Sequence, residues 1–150
     1  MKMQVAGTKS LLAELLNIGE KVPDNARKVM HRNADKIIEE AVLNAPVDKH
    51  NLEQAIRKRI SYQSTFRKRL KIDIEVGGIV NGVNVDEYAM QIHENYGSMN
   101  PGKGTIAKRD ANPGRFIGEK FLERAVEAVE GKLRPSLIQA VLRGINGKSI

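Results

Sequence analysis

The chain has no cysteine and no tryptophan in 150 residues, and aromatics make up only 4% of it. The absence of cysteine excludes disulfides and thiol catalysis and fits a reducing compartment. With so few aromatics, a core has to be built mostly from Leu, Ile, Val and Ala. No apolar run approaches the roughly 20 residues that span a bilayer. The opening MKMQVAGTK also lacks the apolar region of a signal peptide. A soluble protein assembled in a cytoplasm, with no membrane association, is therefore expected. Internal repeats, heptad runs and low-complexity tracts are missing as well.

What is present is one domain's worth of chain with 41% apolar residues, enough for a real core. Its first few residues and the tail 145–150 are expected to be flexible. Thr8 or Ser10 can cap a first helix carrying Leu11, Leu12, Leu15, Leu16 and Ile18, stopped by Gly19. Pro23 suits the start of a second helix. Its apolar stripe runs through Ala26, Val29, Met30, Ala34, Ile37, Ile38, Ala41 and Val42, and Ala45-Pro46 ends it. Asp48 to Tyr62 reads as a short helical turn passing into a strand. Leu70 to Val76 alternates strictly, as a strand with one buried face does. Gly77-Gly78 turns the chain, and Ile79 to Val85 is a further, weaker strand broken by Asn81-Gly82, itself a hairpin signal.

Tyr88 to Glu94 is a short amphipathic segment, and Asn95 to Arg115 reads as a long irregular loop. Such loops are usually functional or ordered only on binding, so Gly97 to Gly114 is expected to be protease-sensitive in the free protein. Phe121, Leu122, Ala125, Val126, Val129 and Leu133 then form a long helix that Gly131 and Pro135 should break or kink. A terminal helix carrying Leu137, Ile138, Val141, Leu142 and Ile145 follows. The expected fold class is α+β: N-terminal helices, a small antiparallel β-sheet and a long C-terminal helix.

The charge is uneven. Lys and Arg number 25 against 18 Asp and Glu, a net +7. From Ile56 to Lys71 there are seven bases (Arg57, Lys58, Arg59, Arg67, Lys68, Arg69 and Lys71) and no acid. Three readings compete for this cluster. It can lie on nucleic acid, with Tyr62 and Phe66 stacking on bases. It can protect a sheet edge from pairing with other chains. It can dock an acidic protein. The last two together rank above sequence-specific DNA binding, because no recognition motif accompanies the charge.

Gly97-Ser98-Met99-Asn100-Pro101-Gly102-Lys103-Gly104 has the spacing of a phosphate-binding loop. Gly104, however, replaces the magnesium-holding Ser or Thr, and neither a preceding strand nor a following helix is apparent. His31, His50 and His93 lack the spacing of a metal set. His93 and Glu94, being adjacent, should point in different directions and fail as an acid–base pair. No catalytic, cofactor or metal residue is assigned, and an enzyme is not expected.

Three segments in order carry a resemblance. They are Ala45-Pro46-Val47-Asp48-Lys49-His50-Asn51-Leu52-Glu53-Gln54-Ala55-Ile56, then Tyr88-Ala89-Met90-Gln91-Ile92-His93-Glu94-Asn95, then Lys120-Phe121-Leu122-Glu123-Arg124-Ala125. Together they resemble the tail-completion, or head–tail joining, proteins of tailed bacteriophages over about residues 10 to 130. The chain departs from that family's Thr-Gly turn with Lys49-His50, and has Glu53 and Ala55 where Arg and Ser follow the Leu. The resemblance implies a non-enzymatic virion protein of the phage neck that forms a homo-oligomeric ring by heterologous contacts. Its implied partners are connector or adaptor proteins and tail proteins, with luminal DNA as a further one.

The contact residues are then expected in the hairpin at Arg57, Arg59, Arg67, Lys68, Arg69 and Lys71. Tyr88, His93, Glu94 and Tyr96 would contribute beside the loop, and Lys103, Lys108, Arg109 and Arg115 within it. Pro46, Leu52, Phe116, Phe121 and Leu122 are expected to be structural.

Overall fold

Leu70, Ile72, Ile74 and Val76 alternate with Lys71, Asp73 and Glu75, so one face of this segment is apolar and the other charged. It forms β2 (Arg69–Val76), antiparallel to β1 (Ile56–Gln63), with Ile60 opposite Ile72 and Ile56 opposite Val76. The computed structural model describes residues 8–63 and 69–150; the side chains of residues 8–13, 15, 63 and 69 fall outside that description. Helix α1 (Thr8–Asn44) and a single turn α2 (Asn51–Gln54) precede the hairpin. After it come the short strands β3 (Ile79–Val80) and β4 (Val83–Asn84). Helices α3 (Ala89–Asn95), α4 (Lys103–Ala111) and α5 (Phe121–Ile145) complete the order. The fold class is α+β.

The chain divides into two units, Met1–Arg32 with Gly131–Ile150, and Asn33–Glu130. In the first, α1 and α5 pair antiparallel at close range. A Cβ on Gly144 would lie 2.7 Å from the Val22 Cα, so only glycine fits there. Asn25, fully buried, donates through Nδ2 to the carbonyls of Ala140 (3.1 Å) and Lys148 (2.8 Å). Its Oδ1 accepts from the Ile150 N–H at 3.3 Å. The tail beyond α5 is thus hydrogen-bonded to α1.

Both long helices run through residues expected to interrupt them. Helix α1 continues past Gly19 and contains Pro23, and α5 passes Gly131 and contains Pro135. A helical proline clashes with the carbonyl four residues earlier. In both cases that residue is a glycine (Gly19 for Pro23, Gly131 for Pro135), whose backbone can tilt the carbonyl aside. Beside Pro135, the Ser136 hydroxyl donates to the Lys132 carbonyl at 2.7 Å.

The second unit is built around small residues and one large ring. Ala41, Ala45, Ala55, Ala89 and Ala125 bring the elements close, and Phe121, 1% exposed, fills the space with Leu52, Ile56 and Val85. The Asn81-Gly82 signal is realised as a two-residue turn with φ of 50° and 76°, both positive as a type I′ hairpin requires. At the α1–α2 junction His50 takes a left-handed conformation, φ 61°. The His50 Nδ1 lies 2.5 Å from Glu53 Oε2, a local contact that opposes the strain of about 1–2 kcal/mol such a conformation brings to a non-glycine residue.

The largest departure from the sequence reading is at Asn95–Arg115. Lys103–Ala111 is helix α4, not irregular chain. Prolines bracket this run at Pro101 and Pro113 but none lies within it, so the breaker-rich ends concealed a helical centre. Its Thr105 is fully buried.

Candidate functional site

The second unit carries a groove of about 490 Å³ between the Pro46–Leu52 turn, α3 and the start of α4. Pro46, Val47, Leu52, Ile92 and Tyr96 supply much of its apolar lining, and Asp48, Asn51 and Gln91 lie along it. The turn is fixed from α4. The Thr105 Oγ1 accepts from the Val47 N–H (2.9 Å) and the Tyr96 hydroxyl (2.9 Å), and donates to the Val47 carbonyl (3.0 Å). A Cβ on Gly104 would sit 2.8 Å from that same carbonyl oxygen. Tyr88 lines the groove with its hydroxyl pKa raised, first by burial and then by the nearby Asp48 carboxylate.

Lys108 closes the other side of the turn. Its ammonium donates to the carbonyls of Val42 (2.5 Å) and Ala45 (2.9 Å) and to the Glu53 carboxylate. The C-terminal carbonyls of a helix have no partners within it, and a cation there also complements the helix dipole. Arg115 bonds Glu40 (2.7 Å) and Asn44 Oδ1 (3.0 Å), and Arg109 reaches the Ile117 carbonyl at 2.7 Å. Of the four loop cations expected to meet a partner, Lys108, Arg109 and Arg115 therefore tie the segment to its own chain. Lys103 is exposed at the start of α4. Tyr96, also expected at an interface, is buried.

The phosphate-loop comparison changes in one respect. A helix does follow Gly102, but α3 rather than a strand precedes the run, and Gly104 packs on Val47. The exclusion stands on the missing strand and the occupied backbone.

His93 and Glu94 do meet, contrary to the expectation from their adjacency. His93 Nδ1 lies 2.8 Å from Glu94 Oε1, because the long Glu side chain folds back between His93 and Lys120, whose Nζ is 2.5 Å from Glu94 Oε2. The imidazole packs edge-on against Phe121, with centroids 5.0 Å apart, and its Nε2 is buried without a hydrogen-bond partner. Lys120 adopts φ 55°, and its N–H donates to the His93 carbonyl at 2.7 Å. Among the described residues there is no group of three or more His, Cys, Asp or Glu able to hold a metal ion. No helix among them is long and apolar enough to cross a membrane.

Glu94's carboxyl is held below the usual glutamate range, first by the hydrogen bond from Lys120 and then by that from His93. A lowered folded-state value means the pairing favours folding above the ordinary carboxylate pKa and fades as pH falls through the lowered value. Salt screens this exposed pair. Lys120→Met is expected to return the Glu94 carboxyl toward the glutamate range in an NMR titration; an unchanged titration would count against the contact.

Phe116, expected to be a structural anchor, is 55% exposed. The Arg124 guanidinium lies 4.4 Å from its ring centroid and donates to the carbonyls of Phe116 (2.6 Å) and Glu119 (2.7 Å). Burial lowers the Arg124 pKa. Pro46, Leu52 and Phe121 are buried, and Leu122 packs on the core.

On the hairpin, the cation cluster is partly neutralised by carboxylates of the same chain. Arg57 pairs with Glu75 (3.1 Å), Lys71 with Asp73 (3.0 Å) and Lys58 with Asp35 of α1 (2.5 Å). Arg59 stands opposite Asp73. Phe66, Arg67 and Lys68 lie outside the described residues, as does the Arg69 side chain.

Thr105, Glu53, Lys120 and Arg124 are the positions that sequence reasoning missed. The one local signal was the hydroxyl directly after Gly104. Comparisons with protein-family models, curated proteins and solved structures return no match.

Proposed function

We propose that this protein is a non-enzymatic structural component of a bacteriophage neck, forming a ring that joins the head connector to the tail. The observation that carries this reading is the convergence of the three segments that resemble tail-completion proteins. Ala45 and Leu52 from the first, Ala89 from the second and Phe121 and Ala125 from the third share one core cluster. The Lys120–His93 backbone hydrogen bond joins the second segment to the third. The three segments thus share one packed unit. The groove and the hairpin are its contact surfaces, the partners are a second copy and the flanking connector and tail proteins, and assembly takes place in the host cytoplasm.

Electron microscopy of antibody-labelled virions produced with this protein is expected to place label at the head–tail junction, with the chain present in their mass spectra. Purified virions lacking the chain would overturn the reading. A nucleic-acid-binding module is less well supported, since Arg57, Lys58 and Lys71 are engaged by carboxylates of their own chain. That rival requires DNA affinity that falls steeply with salt, and a smaller salt slope after replacing Arg67, Lys68 and Arg69 with Ala.

A further inference from the structure

The β1–β2 sheet has two strands, so each of them has one paired and one open edge among the described residues. Its apolar face is covered near the core, where Ile56 is 6% exposed, but not farther out, where Ile60 is 44% and Tyr62 56% exposed. A hairpin of two strands is marginal in water unless it gains another strand or a packing partner. The two strands also differ in charge. β1 presents Arg57, Lys58 and Arg59 with no acid, whereas β2 is neutral, its Asp73 and Glu75 balancing Arg69 and Lys71. Two β1 edges would set three cations against three, and like charges opposite one another oppose pairing. A β2 edge instead offers the carboxylates that stand opposite Arg57 and Arg59 inside the hairpin itself.

We propose that the open edge of β1 pairs antiparallel with the open edge of β2 from a second copy of this chain. Arg57 and Arg59 then face the second copy's Glu75 and Asp73, and Ser61 faces its Lys71. Ile60, Tyr62, Leu70 and Ile72 form an apolar face that continues from one copy to the next. Each copy still offers a free β1 or β2 edge, so the contact is heterologous and propagates until it closes. The proposal deepens the ring reading above and rests on its self-assembly, not on its place in a virion.

The absence of cysteine makes the test clean. Full-length chains carrying Ser61→Cys and Lys71→Cys singly are mixed and oxidised; both substitutions leave the Arg and carboxylate rows intact. Cross-strand neighbours lie close enough for a disulfide. Mixed dimers on non-reducing gels are expected to predominate over dimers of either chain alone. They are expected to be lost on adding Arg57→Glu and Arg59→Glu, and restored when Asp73→Arg and Glu75→Arg accompany that pair. Dimers of the Ser61→Cys chain alone, no cross-link at all, or a monomer in sedimentation at the highest soluble concentration would overturn the proposal. Mixed dimers from a protein absent from virions would leave it standing and remove only the neck reading. A virion protein without mixed dimers would do the reverse.

Discussion

Replacing Lys108 with methionine is expected to destabilise the protein by roughly 3–5 kcal/mol, the range found when one member of a buried ion pair is removed. Lys108 and Glu53 side chains are only 14% and 12% exposed. The methionine keeps most of the stem's packing, so the loss is electrostatic. It leaves the Glu53 carboxylate with the exposed His50 alone, and strands the Val42 and Ala45 carbonyls at the end of α1. Adding Glu53→Gln removes the stranded charge, and the double variant should recover part of the loss, with a coupling of about 1–3 kcal/mol in denaturant unfolding. Strict additivity of the two substitutions would show that the ion pair contributes nothing. The pair matters for the groove because it ties α2 and α4 to the Ala45-Pro46 turn, which forms one wall.

How far this was legible in the sequence follows from the range of the forces involved. The β1–β2 pairing, the Asn81-Gly82 turn and the helical turn before β1 are set by alternation and local turn chemistry, and each stands where the pattern put it. Pro23 and Pro135 misled because the rule for proline concerns the residue four earlier as much as proline itself, and in both helices that residue is glycine. The long loop misled for a different reason. Its Gly and Pro content signals breaks, whereas what orders it is a set of contacts more than fifty residues away in sequence, Lys108 to Glu53 and Thr105 to Val47. No local pattern encodes those. The same holds for His93 and Glu94, which meet only because Lys120 draws the carboxylate back.

Thr105→Val is expected to destabilise by roughly 2–5 kcal/mol, since each buried polar group left without a partner costs about 1–3 kcal/mol. Valine matches threonine in shape, so no cavity confuses the result. The hydroxyl it removes satisfies three groups at once: the Val47 N–H, the Val47 carbonyl and the Tyr96 hydroxyl. Thr105→Ser keeps all three bonds and should lose only about 1 kcal/mol for the missing methyl. Tyr96→Phe removes one donor while leaving Thr105 bonded to Val47, and should fall between them. The consequence for function lies in the loop. With Thr105 in place, Gly97 to Gly114 is expected to resist limited proteolysis in the free protein, the opposite of what its composition suggests. Thr105→Val should open it to cleavage under conditions where the remainder stays folded. Equal resistance of both proteins would mean that α4 is held by something other than this hydroxyl. A wild-type loop cut as fast as the valine variant would return the segment to the role of an arm ordered only by its neighbours.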